Sequence, residues 1–99
     1  MNQADEIRNF AYENYVLPMK GKQLEFTIKA GDVHDRMGLY HRVPNVCNVL
    51  RGNKFQIMSK IKLVKAIGPE SGQSPSMKYF YKFIDSENIN TEFVELDSL

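Results

Sequence analysis

Hydrophobic side chains near the start of the chain recur with the period of a helix. Over residues 4–17, the spacing i, i+3, i+4 and i+8 is occupied by Ile7, Phe10, Ala11 and Tyr15. One apolar stripe with this period predicts an amphipathic helix. Pro18 and Gly21 predict its end, since proline interrupts helical hydrogen bonding and glycine favours a turn.

A strict alternation of apolar and polar residues follows. In the segment QLEFTIK (23–29), the apolar positions are Leu24, Phe26 and Ile28. This pattern predicts a half-buried strand whose apolar side chains all face the core.

The segment GDVHDRMGLYHRVPNVCNVLRG (31–52) predicts two short helices. In the first, Asp32 can cap or favourably charge the start, and Val33 and Met37 lie one turn apart. Gly38 predicts the end of this helix, because glycine readily adopts the left-handed conformation of a turn.

The second of these helices carries an apolar ridge. Pro44 suits its first turn, where a missing N–H is no loss, and Gly52 closes it. The ridge has helical spacing and consists of Val43, Val46, Cys47 and Leu50. We expect this ridge to be buried, because helices this short are held by tertiary packing.

The rest of the patterned sequence predicts a hairpin. IKLVKAI (61–67) and MKYFYKFI (77–84) are rich in strand-forming residues, and the Gly-, Pro- and Ser-rich segment GPESGQSPS separates them. The preceding KFQIMSK (54–60) is compatible with one more helical turn or with the start of a strand.

The order of these elements resembles that of the winged helix-turn-helix superfamily over residues 4–84. Segment 31–52 corresponds to the helix-turn-helix, with Gly38 in its turn, and segment 61–84 corresponds to the wing hairpin. The resemblance implies an α+β fold, with a three-helix core and a small antiparallel sheet. The linker 39–43 is longer than the usual turn, and His34 stands where a small residue is frequent.

The resemblance also implies binding of double-stranded DNA, by a small transcriptional regulator or a DNA-targeting module. The second helix of the pair usually enters the major groove, where Asn recognises adenine and Arg recognises guanine. At helical spacing, His41, Asn45 and Asn48 point away from the ridge. With residues beside this helix and on the hairpin, the predicted DNA contacts are His41, Arg42, Asn45, Asn48, Arg51, Lys54, Lys65, Ser71, Gln73, Ser74 and Lys78.

Charge is segregated along the chain although its formal net value is +1. Residues 36–69 contain seven Lys or Arg and no Asp or Glu, whereas residues 85–99 contain five Asp or Glu and no Lys or Arg. This asymmetry predicts a basic working face and an acidic C-terminal tail, and the tail could compete with DNA for that face. Asp32 and Asp35 oppose the DNA interpretation, since the helix that carries them usually crosses the phosphate backbone.

The sequence gives little support for catalysis or metal binding. The groups available are His34, Asp35, His41 and Cys47, and their spacing matches no zinc pattern. No phosphate-binding glycine loop or nucleophile elbow occurs, so we expect no catalysis, cofactor or metal.

A single cysteine allows no internal disulfide, and the chain shows neither a signal-peptide pattern nor an apolar run long enough to span a membrane. We therefore expect a cytoplasmic protein with no membrane partner. A homodimer is possible, because many such domains read half-sites as dimers. The alternative function is a winged-helix module for protein–protein interaction without DNA binding.

Overall fold

The computed structural model describes residues 2–84. Its helices and strands are, in chain order, α1 (Gln3–Ala11), β1 (Glu25–Lys29), α2 (Ala30–Arg36), α3 (Val43–Leu50), α4 (Asn53–Ser59), β2 (Ile61–Ile67) and β3 (Lys78–Phe83). The fold is α+β, with four α-helices and a three-stranded antiparallel sheet. The predicted α+β class is confirmed, and the acidic segment 85–99 lies outside the described residues.

The first helical segment is longer than predicted and changes its winding. The Asn2 side chain caps α1 by accepting a hydrogen bond from the Asp5 N–H at 2.9 Å. A π-helical turn (Tyr12–Val16) and a 3-10 turn (Leu17–Met19) continue it. Because the π turn adds a residue, Val16 is fully buried whereas Tyr15 is half-buried.

The sheet has the order β1-β3-β2, so the lone strand pairs with the hairpin as predicted. Phe26 and Ile28 are buried on its inner face, opposite Tyr81 and Tyr79 of β3. The prediction that Leu24 shares this face is wrong, because its side chain is 68% exposed. Leu24 precedes the first residue pair of an edge strand and lies beyond the core.

Helix α2 begins earlier than predicted. Lys29 rather than Asp32 occupies its N-cap position, so Asp32 does not cap the helix but lies in its first turn, where its negative charge is favourable as predicted. The Asp32 carboxylate accepts a hydrogen bond from the Tyr15 hydroxyl and lies 3.9 Å from the Arg36 guanidinium. Gly38 has φ +68°, which confirms the predicted left-handed turn after α2.

The apolar ridge of α3 is buried as predicted. Val46, Cys47 and Leu50 are fully buried, and Val43 is half-buried at the start of the helix. The ambiguous segment 54–60 forms most of α4, which ends at Lys60 with φ +56°. The core therefore rests on four helices rather than the three predicted.

Two tyrosines of β3 reach from the sheet towards α3. The buried Tyr81 hydroxyl donates a 2.6 Å hydrogen bond to the Leu50 carbonyl, one of the carbonyls that the end of α3 leaves free. The Tyr79 hydroxyl is also buried and has no hydrogen-bond partner within residues 2–84. Burial raises the pKa of both phenols, so both stay neutral at physiological pH.

This pair predicts opposite responses to the same substitution. We expect Tyr81→Phe to lower the free energy of unfolding by about 1–2 kcal/mol, because it leaves the buried Leu50 carbonyl without a donor. Tyr79→Phe should be neutral or stabilising by up to about 1 kcal/mol, because it removes an unpaired buried hydroxyl. Urea unfolding of both variants measures the difference, and equal losses would contradict it.

Candidate nucleic-acid interface

The side of α3 opposite the buried ridge is exposed and polar. Asn45 and Asn48 lie on it, Arg42 immediately precedes the helix and Arg51 immediately follows it. These side chains point outward because burial of Val46, Cys47 and Leu50 fixes the rotation of the helix about its axis. We call Arg42, Asn45, Asn48 and Arg51 the α3 face.

Arg51 ties this face to the loop 68–77 between β2 and β3. One guanidinium nitrogen donates to the Asn48 side-chain oxygen at 2.5 Å, and another donates to the Gly72 carbonyl at 3.0 Å. The guanidinium is therefore held in place before any ligand arrives. An arginine positioned in this way can present its remaining donors to a phosphate or a base edge at a lower entropic cost.

The start of α1 forms the other wall of a shallow groove along α3. The Asn45 side chain donates a 2.7 Å hydrogen bond to the Gln3 side chain, and Ala4 and Arg8 line the same groove beside Asn48. The sequence analysis missed Gln3. No local pattern could have revealed it, because its position beside α3 comes from the packing of two distant helices.

The Asp5 carboxylate lies beside this groove, bonded to Arg8. Arg8 donates a hydrogen bond to Asp5, and this bond, with the nearby Arg8 and Lys54 charges, lowers the pKa of the exposed Asp5 carboxyl. Asp5 thus offsets part of the positive charge that Arg8 and Lys54 bring. Arg42 and Arg51 of the α3 face form no ion pair among residues 2–84, so they carry more weight for binding a polyanion.

His41 lies in the turn before α3 rather than on the helix, and it is exposed as predicted. Its backbone is left-handed, with φ +54°, and its ring lies 3.9 Å from the ring of Tyr40, measured between centroids. The Arg42 N–H donates to His34 Nε2 at 3.1 Å and fixes the exit of this turn. Tyr40, which the sequence analysis passed over, is 78% exposed.

The loop 68–77 folds back onto the helices rather than projecting as an extended tip. The Gly31 N–H donates to the Pro75 carbonyl at 2.8 Å, and the Ala30 N–H donates to the Met77 carbonyl at 2.9 Å. The Cys47 thiol lies 3.8 Å from the Ser74 carbonyl. These contacts join the loop to α2 and α3.

The docked loop changes what its predicted contacts can do. The Ser71 hydroxyl accepts a hydrogen bond from the Gln73 N–H, and the hydroxyls of Ser74 and Ser76 bond each other at 2.8 Å. Ser74 is half-buried, whereas Ser71 and Gln73 are exposed near Gly72 and hence near Arg51. Ser71 and Gln73 therefore extend the α3 face, and Ser74 contributes mainly to the shape of the loop.

The two predicted lysine contacts lie elsewhere. Lys78 alternates with the buried Tyr79, so its side chain leaves the outer face of the sheet, away from the helices. The Lys65 ammonium lies 4.9 Å from the centroid of the Phe80 ring on the same outer face. The structure therefore brings Asn45, Asn48 and Arg51 together and separates Lys65 and Lys78 from them by the thickness of the sheet.

Within residues 2–84, no cluster of three or more His, Cys, Asp or Glu side chains could hold a metal ion. Over the same range, every helix is too short or too polar to cross a bilayer.

Comparisons with protein-family models, with curated proteins and with solved structures found no match to this chain. The assignment of a function therefore depends on the chemistry of the residues described above.

Proposed function

We propose that this chain is a winged helix-turn-helix protein that binds double-stranded DNA through the α3 face. The order of the elements, in which the short helices α2 and α3 follow β1 and precede the β2–β3 hairpin, supports this architecture. The sheet order β1-β3-β2 supports it too, because β3 of the hairpin pairs with β1, the strand that precedes the helices. Helix α4 is an addition between the second of these helices and the hairpin.

The exposed composition of α3 is the observation that carries the proposal. The helix has no carboxylate and presents two amides between two arginines, while its apolar side chains are in the core. An Asn amide matches the N6 and N7 groups of adenine in the major groove, and an Arg guanidinium matches guanine or a phosphate. A helix face that contacts only water would gain no stability from the absence of acidic side chains.

The geometry assigns different roles to these residues. Asn48 and Asn45 are the base-reading side chains, and DNA binding replaces or shares their bonds to Arg51 and Gln3. Arg42 and Arg51 at the two ends of α3 bind phosphates on either side of the groove. Lys54, in the first turn of α4 and three residues after Arg51, adds a further phosphate contact.

Selection of bound sequences from a random duplex pool, using the full chain, tests the proposal. We expect one motif to be enriched, and binding to it should weaken linearly in log K against log salt. Asn48→Ala should cost about 1–3 kcal/mol on the selected motif and little on random duplex. A folded protein that enriches no sequence and binds equally well across a salt series would refute the proposal.

A protein-interaction module is the second candidate, favoured by exposed apolar side chains on α4. Ile57 is 76% exposed and Met58 is 41% exposed, and Ile57 borders a groove with Ile61 and Ile84. Sedimentation velocity over a concentration series shows whether two copies associate through this surface. If they do, Ile57→Glu should restore the monomer without unfolding the chain.

A further inference from the structure

The outer face of the sheet is rich in lysine. It carries five exposed lysines around the half-buried ring of Phe80, and we call them the lysine face: Lys29, Lys62, Lys65, Lys78 and Lys82. All five belong to the three strands, so the sheet holds their positions. The proposed DNA-binding face on α3 lies on the other side of the sheet and makes no use of them.

Strand pairing sets several of these lysines against one another. Lys29 lies directly opposite Lys78, and Lys62 lies directly opposite Lys82. Side chains in such pairs have Cβ atoms about 5 Å apart, and like charges at these positions destabilise a sheet. Glu25 is the one carboxylate in the three strands, and it lies opposite Lys82.

No ion pair relieves this repulsion within the part of the chain that the structure describes. Among residues 2–84, the ion pairs join Arg8 to Asp5 and Arg36 to Asp32, His34 lies 3.6 Å from the Asp35 carboxylate, and none of these contacts involves a lysine. Lys65 is stabilised by the Phe80 ring at 4.9 Å, whereas the other four ammonium groups form no ion pair among residues 2–84. Two opposed lysine pairs on one sheet face indicate an anionic ligand, because the pairs alone do not stabilise the sheet.

We propose that the lysine face binds the acidic segment 85–99 of the same chain. This segment has five carboxylates and no Lys or Arg, which complements the charge of the face. It also contains Phe93, Val94 and Leu96, and the lysine face offers the exposed side chain of Ile67, opposite Lys78 on the same face. A ligand with both carboxylates and apolar groups matches this surface better than a nucleic acid strand, since Lys65 already covers the Phe80 ring.

The position and length of the segment support binding within one chain. It begins next to Ile84, which follows β3 and donates a backbone hydrogen bond to the Lys60 carbonyl before β2. Fifteen residues span up to about 50 Å when extended, whereas a six-residue strand is about 20 Å long. A short tether keeps the effective concentration of the segment at about millimolar, enough to occupy a weak electrostatic site.

This inference differs from competition between the segment and DNA for the α3 face. The lysine face and the α3 face lie on opposite sides of the sheet, so a segment bound to the lysines leaves Asn45, Asn48 and Arg51 accessible. Each of the two proposals can therefore be refuted without refuting the other.

The test compares the full chain with a full-length variant in which the acidic segment is neutral, carrying D85N, E87Q, E92Q, E95Q and D97N. We expect the backbone amide NMR signals of Lys29, Lys62, Lys78 and Lys82 to shift, with α3 signals unchanged. At low ionic strength the neutral variant should melt about 2–5 °C lower, and the difference should vanish at 1 M salt.

A matched variant makes the test specific. If the segment acts through the lysines, its neutralisation should lower the melting temperature less in a Lys62→Gln/Lys82→Gln background, because two of the five lysines are then absent. Unchanged lysine signals in the first comparison, or an equal melting loss in the second background, would overturn the proposal.

A single-stranded oligonucleotide, dT15, probes the competing occupant. The neutral variant should bind dT15 at low salt at least 10-fold more tightly than the natural chain, because its lysines are no longer covered. Equal binding by both chains, lost in the Lys62→Gln/Lys82→Gln variant, would show that the face is open to nucleic acid and would refute binding of the segment.

Discussion

Replacing Arg51 with alanine is expected to weaken duplex DNA binding about 10- to 100-fold. The substitution removes a cation from the end of α3 and two hydrogen bonds, one to the Asn48 side chain and one to the Gly72 carbonyl. Asn48 then loses the partner that orients it, and the loop loses a tie to α3. The affinity should fall for every duplex, and it should fall further for the selected motif because Asn48 contacts the bases.

Fluorescence anisotropy between 50 and 200 mM salt measures this effect, and the slope of log K against log salt should fall by about 0.9 for one lost phosphate contact. Arg51→Lys keeps the charge but cannot form both hydrogen bonds at once, so it should recover non-specific binding more than specific binding. Arg36→Ala is the matched control, because Arg36 lies on α2 beside Asp32 and Tyr15. If Arg36→Ala weakened binding as much as Arg51→Ala, α3 would not be the binding face.

Gly31→Ala is expected to lower the free energy of unfolding by about 1–3 kcal/mol. In an ordinary helix, exchange of glycine for alanine stabilises by about 1 kcal/mol. At Gly31, however, an added Cβ would lie 2.7 Å from the Pro75 carbonyl oxygen and 3.1 Å from the Pro75 Cβ. Neither atom belongs to a flexible side chain, so the loop 68–77 must move away from α2.

Urea unfolding gives the loss of stability, and amide hydrogen exchange locates it. The Gly31 and Ala30 amides, which donate to Pro75 and Met77, should lose protection before the amides of β3. A stabilised variant would show that the loop accommodates the methyl group. Because Arg51 binds Gly72 in this loop, the variant should also bind DNA more weakly.

The elements that depend on local pattern were predictable from the sequence. The ridge of α3 follows from the spacing of Val46, Cys47 and Leu50 between a proline and a glycine, and the structure buries all three. The strands β2 and β3 follow from their residue types. These features need no knowledge of distant contacts, because periodicity alone decides which side of an element faces the core.

Features that depend on packing between distant elements were not predictable. The π turn that buries Val16 leaves no mark in composition, and α4 has a sequence compatible with either structure. The docking of the loop depends on a glycine at position 31 opposite Pro75. Gln3 joins the candidate site through a contact with Asn45 that only the tertiary structure creates.

The orientation of Lys78 was predictable from the sequence. It neighbours Tyr79, whose side chain belongs to the sheet core, so alternation alone places Lys78 on the opposite face. The orientation of Lys65 was harder to predict, because the register between β2 and β3 shifts between Leu63 and Lys65. Such a bulge changes which face every later residue of β2 occupies.

The sheet order has a consequence for synthesis on the ribosome. Strand β3 lies between β1 and β2, so Ile28 stays without its partner until Tyr79 has been translated. At about 5–20 residues per second, an unpaired β1 edge is exposed for several seconds while the intervening helices emerge. The apolar side chains of the helices can pack together during that interval, and the three-stranded sheet is completed when β3 leaves the exit tunnel.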